Sequence, residues 1–211
     1  VLCESRKPET DVSGYTDNFI RVVLEETHEI DLRNQLLAVK LTGIKGQTML
    51  GKFESNQNQM LTIVSWNIQY GKGVDGRIDL HKIADVVQQD GLPDVLCLQE
   101  VSRNDPDTAN GSDQFSELQK LFSNYESFYG ASQDRSGGKN GGRRQFGNLI
   151  LTRRSPLQVL HHLLPSPSDP KARFMSRQTT EMLLSTGSGN LRLMNTHLEF
   201  FSEKQQLAQV Q

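Results

Sequence analysis

The sequence predicts a layered α/β domain preceded by a small barrel of short strands. Three observations predict it. Beyond residue 60, apolar runs of strand length alternate with segments of helical periodicity, which is the pattern of strands and helices packed in layers. Before residue 54, short alternating runs are spaced by glycines, as in small barrels. Between the two, "KFESNQNQM" (52–60) is polar, amide-rich and aperiodic, the composition of a linker.

The first piece, about residues 1–54, offers strands at "NFIRVVL" (18–24), "LLAVKLTGIKG" (36–46) and "TMLGKF" (48–53). The linker is placed at 55–59 and the larger domain at 60–211. That domain opens on "LTIVSWN" (61–67), read as a buried strand that ends in Trp66-Asn67 and gives way to a Gly-rich loop. "DLHKIADVVQQDG" (79–91) has apolar residues at helical spacing between an Asp start and a Gly stop. "PDVLCLQEV" (93–101) reads as a buried strand, and "DQFSELQKLF" (113–122) as a helix with Asp113 as N-cap. Strands follow at "FGNLILTRR" (146–154), "TTEMLLST" (179–186) and "NLRLMNTHLEF" (190–200), and "SEKQQLAQVQ" opens a further helix.

Composition narrows the function classes. The chain has 211 residues and a formal charge of -2, which argues against a polyanion-binding arm. Two cysteines are too few for a disulfide framework and fit a reducing, cytoplasmic setting. No apolar run approaches the ~20 residues of a membrane span, so no membrane partner is expected.

Three strand ends carry polar groups that chemistry could use. Glu100 follows the almost continuous apolar run "DVLCLQ". A carboxylate there is costly unless it is paired or binds a cation. Alone, a strand-end Glu turned to solvent would be the better reading. Gln99 beside it and Asn67 at the end of another strand favour a site, because α/β sheets place sites at strand ends. A carboxylate with neutral oxygen donors suits Mg²⁺ rather than zinc. His197 also ends an apolar strand. An isolated His there is commonly a hydrogen-bonded strand end, and the functional alternative is a phosphate contact or proton donor. Residues 134–154 hold Arg135, Lys139, Arg143, Arg144, Arg153 and Arg154 against Asp134 alone. The segment reads as a flexible basic loop, either an anion holder or an ordinary solvated loop, with Asn148 where it enters a strand. His161 and His162 fall in a loop-like stretch without a role, and His28 and His81 read as surface positions.

In order, "IVSWNIQYG", "DGRIDLHKIADVV", "PDVLCLQEV", "SDQF", "FGNLILTR", "SRQ" and "NTHLE" resemble the N-terminal half of an endonuclease/exonuclease/phosphatase family enzyme over about residues 60–211. The resemblance implies an incomplete four-layer β-sandwich, two sheets face to face with helices outside, and a metal-dependent phosphoester hydrolase. Glu100 and Asn67 would form the Mg²⁺ or Mn²⁺ site, with Asn67 also serving catalysis by orienting a ligand or the nucleophile. His197 would be the phosphate-contacting or acid histidine, and Asn148 and Arg177 would contact phosphate. The substrate would be a phosphate ester, nucleic acid among the classes open. The family's later Asp and Asn strand and its Asp-His ending do not occur before Gln211, so the chain as it stands is expected to be almost inactive and poorly stable.

"ESRKPETDVSGYTDNFIRVVL" and "LRNQLLAVKLTGIKGQTMLGKF" resemble the C-terminal TRAM domain of radical SAM tRNA methylthiotransferases, with "GYTDNFIRV" the specific part. That resemblance implies a small β-barrel with weak tRNA binding by residues 1–54. Seven Lys/Arg against nine Asp/Glu over that stretch weigh against strong phosphate contact. The junction at Met60 raises the expectation that two neighbouring reading frames have been joined. The non-catalytic alternative is an RNA-binding barrel fused to an inert α/β passenger.

Overall fold

The computed structural model describes residues 1–3, 12–16, 18–25, 37, 39–46, 48–53, 61–89, 91–172, 174–186 and 189–211. The chain divides into two units, residues 1–60 with 156–158 and 183–192, and residues 61–155 with 159–182 and 193–211. His28 and the linker at 55–59 lie outside the described residues.

In the first unit, β1 (Leu2–Cys3), β2 (Ser13–Tyr15), β3 (Arg21–Glu25), β4 (Val39–Lys45) and β5 (Thr48–Phe53) form one sheet in the order β1-β2-β3-β5-β4. β3 pairs parallel with β5, and the other pairs are antiparallel. Val22 and Leu24 alternate inward and pack with Cys3, Val12 and Leu37. Among the described residues no strand pairing closes this sheet into a barrel.

The second unit begins with β6 (Ile63–Asn67), α1 (Leu80–Gln89) and β7 (Val95–Arg103). It continues through α2 (Gln114–Leu121), β8 (Glu126–Arg135) and β9 (Arg144–Thr152). The four strands form a sheet in the order β6-β7-β9-β8. α1 starts where Asp79 Oδ1 accepts the His81 and Lys82 backbone N–H groups. Its Leu80, Ile83, Ala84 and Val87 form one apolar face at helical spacing. α2 is capped by Asp113, which accepts from Ser116 N at 3.1 Å. Both helices cover one face of the sheet, where Leu96, Leu98, Val101, Leu149 and Leu151 join Ile83, Val87 and Leu118 in a single core. Each such leucine contributes about 1.5–3 kcal/mol by leaving water.

β10 (Gln158–Leu163), β11 (Gln178–Thr186) and β12 (Gly189–Thr196) form a three-stranded sheet in that order, and α3 (Glu203–Gln209) follows, capped by Ser202. Asn195 on β12 reaches across to the four-stranded sheet, donating to Leu98 O and Leu149 O at 3.2 and 3.0 Å. Within the second unit, β12 therefore meets the four-stranded sheet through the hydrogen bonds of Asn195.

Four expectations change. β6 is half-buried rather than buried: Val64 and Trp66 pack on the core while Ser65 and Asn67 face outward, as expected of an edge strand. Residues 126–135 are a strand, although "ESFYGASQDR" has too little apolar alternation to announce one. The basic stretch 134–154 is then a β8–β9 hairpin, and most of its cations are committed. Arg143 pairs with Asp134, Arg144 with Asp105 and Asp107, and Arg153 and Arg154 with Asp94. His161 and His162 sit on β10, hydrogen-bonded to Thr180 and Glu181, not in a loop.

Candidate active site

The local fold that builds the site is a β-bulge. β7 runs on to Arg103, two residues past the strand read from the sequence at 93–101, so Glu100 lies inside the strand. Leu98 pairs with Leu149 and Val101 with Gly147, so Gln99 and Glu100 together oppose Asn148 alone. In an unbroken strand Glu100 would share the face of Leu96 and Leu98 and be driven into the apolar core. The extra residue resets the phase, and Val101 takes that core position instead. Glu100 adopts φ +61°, a left-handed conformation that glycine ordinarily supplies. Strain of this kind costs on the order of 1–3 kcal/mol.

The bulge delivers Glu100 to a polar cluster. Asn67 Nδ2 donates to Glu100 Oε1 at 3.0 Å, and Asn67 Oδ1 accepts from Gln69 N at 3.0 Å. His197, one residue past the end of β12, places Nδ1 at 3.7 Å from Glu100 Oε1. Arg177 Nη1 approaches the same Nδ1 at 3.4 Å. A guanidinium only donates, so Nδ1 is the acceptor and Nε2 carries the proton. Burial lowers the His197 pKa, with the Arg177 charge adding to it against the opposing pull of Glu100 and Glu199, so the ring is neutral near pH 7.

Glu100, Asn148, Arg177 and His197 line one small pocket of about 10 Å³, together with Gln178 and Ser132. Of the five residues singled out from sequence, these four thus converge, and Asn67 joins them through its bond to Glu100. Asn148 donates its amide to Gln178 O at 3.0 Å, tying β9 to β11. Arg177 is 3 % exposed, and its Nη2 is buried with no hydrogen-bond partner among the described residues.

Sequence reasoning noted Gln99 without its partner and missed Glu199, Asn195 and Gln178, which help hold this cluster in place. Glu199 is fully buried and accepts from Arg177 Nε at 3.2 Å and from the Phe200 and Phe201 backbone N–H groups at 2.9 and 2.6 Å. Gln99 is buried and donates to Asn195 Oδ1 at 2.7 Å. Gln178 approaches so closely over Gly130 that a Cβ there would lie 2.4 Å from its Nε2. Polar residues in apolar strands were the available signal, in "LMNTHLE" for Asn195 and Glu199.

A family model described as the endonuclease/exonuclease/phosphatase family matches residues 64–206. The chain belongs to that family. The endonuclease/exonuclease/phosphatase from Beutenbergia cavernae is 23 % identical over 70 % of this chain and 42 % of its own, with a TM-score of 0.55, and shows the shared fold. The human Nocturnin catalytic domain with bound sulfate is 17 % identical, over 71 % of this chain and 56 % of its own, at a TM-score of 0.47. An endonuclease/exonuclease/phosphatase family protein from Leptotrichia buccalis is 13 % identical over 69 % and 58 %, also at 0.47. The chain spans less than half the length of the Beutenbergia cavernae structure. No curated protein matches the chain. Family membership and the shared fold give the chain the fold of the endonuclease/exonuclease/phosphatase enzymes. No helix among the described residues is long and apolar enough to cross a membrane.

Proposed function

We propose that residues 60–211 carry a phosphoester-hydrolase site that uses Mg²⁺ or Mn²⁺. The observation that supports it most is the strained bulge at Glu100, which sets a carboxylate between Asn67 and His197 and beside an unpartnered arginine nitrogen.

The donor chemistry fits such an ion. Among the described residues no group of three or more His, Cys, Asp or Glu side chains could hold a metal, so no all-protein cage is present there. Glu100 is the one carboxylate lining the pocket. One carboxylate among neutral oxygens suits Mg²⁺, which keeps several waters and takes one or two carboxylates. Glu100 would hold the ion, and Asn67 would fix the carboxylate through its amide. Bound there, the ion would supply charge neutralisation on phosphoryl oxygens and an acidified water. Arg177 Nη2 and the Nε2–H of neutral His197 are the donors for phosphoryl oxygens, and Asn148 holds the β9 wall of the pocket. His197 in this reading acts by hydrogen bonding at a developing negative charge.

The test is Mn²⁺ titration into the full chain with inorganic phosphate present, followed by calorimetry, beside hydrolysis of bis(p-nitrophenyl) phosphate. Glu100→Gln is expected to abolish Mn²⁺ binding, and Asn67→Ala to weaken it about 10–100-fold. Unchanged Mn²⁺ affinity in Glu100→Gln would overturn the assignment.

For the first unit we propose the TRAM-like reading, with residues 1–54 contacting tRNA weakly. Its support is the "GYTDNFIRV" segment and the short strands β2 and β3 that flank its turn. Salt-dependent tRNA retention tests it, since phosphate contacts weaken steeply with salt. Cys3 and Cys97 are both buried and free, as a reducing, cytoplasmic setting would keep them.

A further inference from the structure

Resting on that reading, we infer that Phe200 and Phe201 form a stacking platform for a nucleobase carried by the phosphate ester. Both rings are open to solvent, at 60 % and 48 % exposure. They are not a scattered pair of surface apolar residues. The Phe200 ring lies near-parallel to the His197 imidazole, with centroids 5.8 Å apart and planes within 20°. Phe201 lies 4.2 Å from Phe200, centroid to centroid. The Arg177 guanidinium carbon sits 5.2 Å from the Phe200 centroid. Two of the residues that line the pocket, His197 and Arg177, therefore also pack on the first ring of the platform.

The platform is anchored. One oxygen of buried Glu199 accepts the backbone N–H of both phenylalanines, while the other oxygen holds Arg177. The rings' backbone is thus fixed before a ligand arrives, which lowers the ordering cost of binding. An acyl chain is held by concave walls that bury most of it. The exposed Phe201 ring, tilted by 38° on Phe200, offers a flat face that matches a flat ligand face. A nucleotide brings such a face on the same molecule as its phosphate, and bases stack on aromatic side chains without needing a specific hydrogen-bond pattern.

The experiment compares binding of adenosine 5′-monophosphate, ribose 5-phosphate, n-octyl phosphate and inorganic phosphate to the full chain by calorimetry in Mg²⁺ buffer. Adenosine 5′-monophosphate is expected to bind about tenfold or more tightly than ribose 5-phosphate. Phe201→Ala should remove that margin and leave ribose 5-phosphate unchanged, and Phe201→Trp should restore it. Equal affinity of the nucleotide and ribose 5-phosphate overturns the platform alone, with the phosphate pocket intact. Tighter binding of n-octyl phosphate than of the nucleotide also overturns it, because the rings would then serve as a plain apolar patch. If none of the phosphates binds, the phosphoester reading and the platform fall together.

Discussion

The four-stranded sheet of the second unit has two faces with opposite chemistry. Toward α1 and α2 it shows Leu96, Leu98, Val101, Leu149 and Leu151, all fully buried and without a polar side-chain atom. On the other face the same two strands carry Gln99 and Asn148, with Asn195 bonded to both strands and Gln178 beside Asn148. The first face follows area: its stabilisation scales with surface removed from water, and many side chains of similar volume would serve. The second face follows partners. Each buried amide costs free energy unless its groups are met, so the arrangement tolerates few alternatives and holds side chains at fixed positions. The site sits on the face where position, not area, decides.

The largest test of that contrast sets Glu199 against Leu98. Glu199→Ala leaves Arg177 buried without its carboxylate, and the expected loss is about 3–5 kcal/mol of unfolding free energy. Leu98→Ala costs about 2–5 kcal/mol through lost transfer energy and a cavity. The two differ in how they can be repaired. The double variant Arg177→Met with Glu199→Leu should recover the part of the Glu199→Ala loss that comes from the unpaired Arg177 charge, because a buried ion pair can be replaced by packed apolar groups, and not the part that comes from the Phe200 and Phe201 N–H groups losing their acceptor. Urea unfolding of the set checks this. If the double variant is as unstable as the single one, the buried pair is more than an interchangeable structural unit and the contrast between the faces must be redrawn.

A middle-sized effect is expected at Asn195. Its amide donates to the Leu98 and Leu149 carbonyls and its oxygen accepts from Gln99. Asn195→Ala is expected to cost about 1–3 kcal/mol, because the Leu98 and Leu149 carbonyls lose a donor and the Gln99 amide, left with Ser65 Oγ and Cys97 O, loses its shortest bond. Gln99→Leu combined with Asn195→Ala should cost less than the sum of the two single changes, which a double-mutant cycle measures directly. Additive costs would mean that the amide pair does not act as a unit.

The apolar face was the legible one. Ile83, Ala84 and Val87 at helical spacing, the Asp79 and Asp113 caps and the run "VLCL" are local signals, and local signals survive in a single sequence. The polar strand ends at Asn67, Glu100 and His197 also stood out, because polar residues closing apolar runs are visible one at a time. Three things were not legible, each for a physical reason. The bulge is a one-residue phase shift inside a continuous apolar run, so no alternation exists in which the slip could be seen. The amide between Gln99 and Asn195 joins residues 96 apart in sequence, and nothing local marks either as the other's partner. The basic hairpin looked free because its carboxylates, Asp94, Asp105 and Asp107, lie far back along the chain.

The smallest expected effect is the sharpest test of what the polar face is for. Glu100 sits at φ +61° in the middle of a strand, where any residue with a Cβ is strained and glycine is not. If the bulge existed only for packing, glycine would serve it better than glutamate. Glu100→Gly removes the strain and the Asn67 hydrogen bond together. The strain relief outweighs the loss of a half-exposed hydrogen bond only narrowly, so the expected outcome is a gain of up to about 1 kcal/mol in unfolding free energy. The same substitution should abolish Mn²⁺ binding. A more stable chain that has lost its ion would mark Glu100 as a residue retained against the interest of stability, which is the usual sign of a functional position. A clearly less stable chain would instead mean that the carboxylate holds the bulge together, and that its hydrogen bond to Asn67 belongs to the architecture.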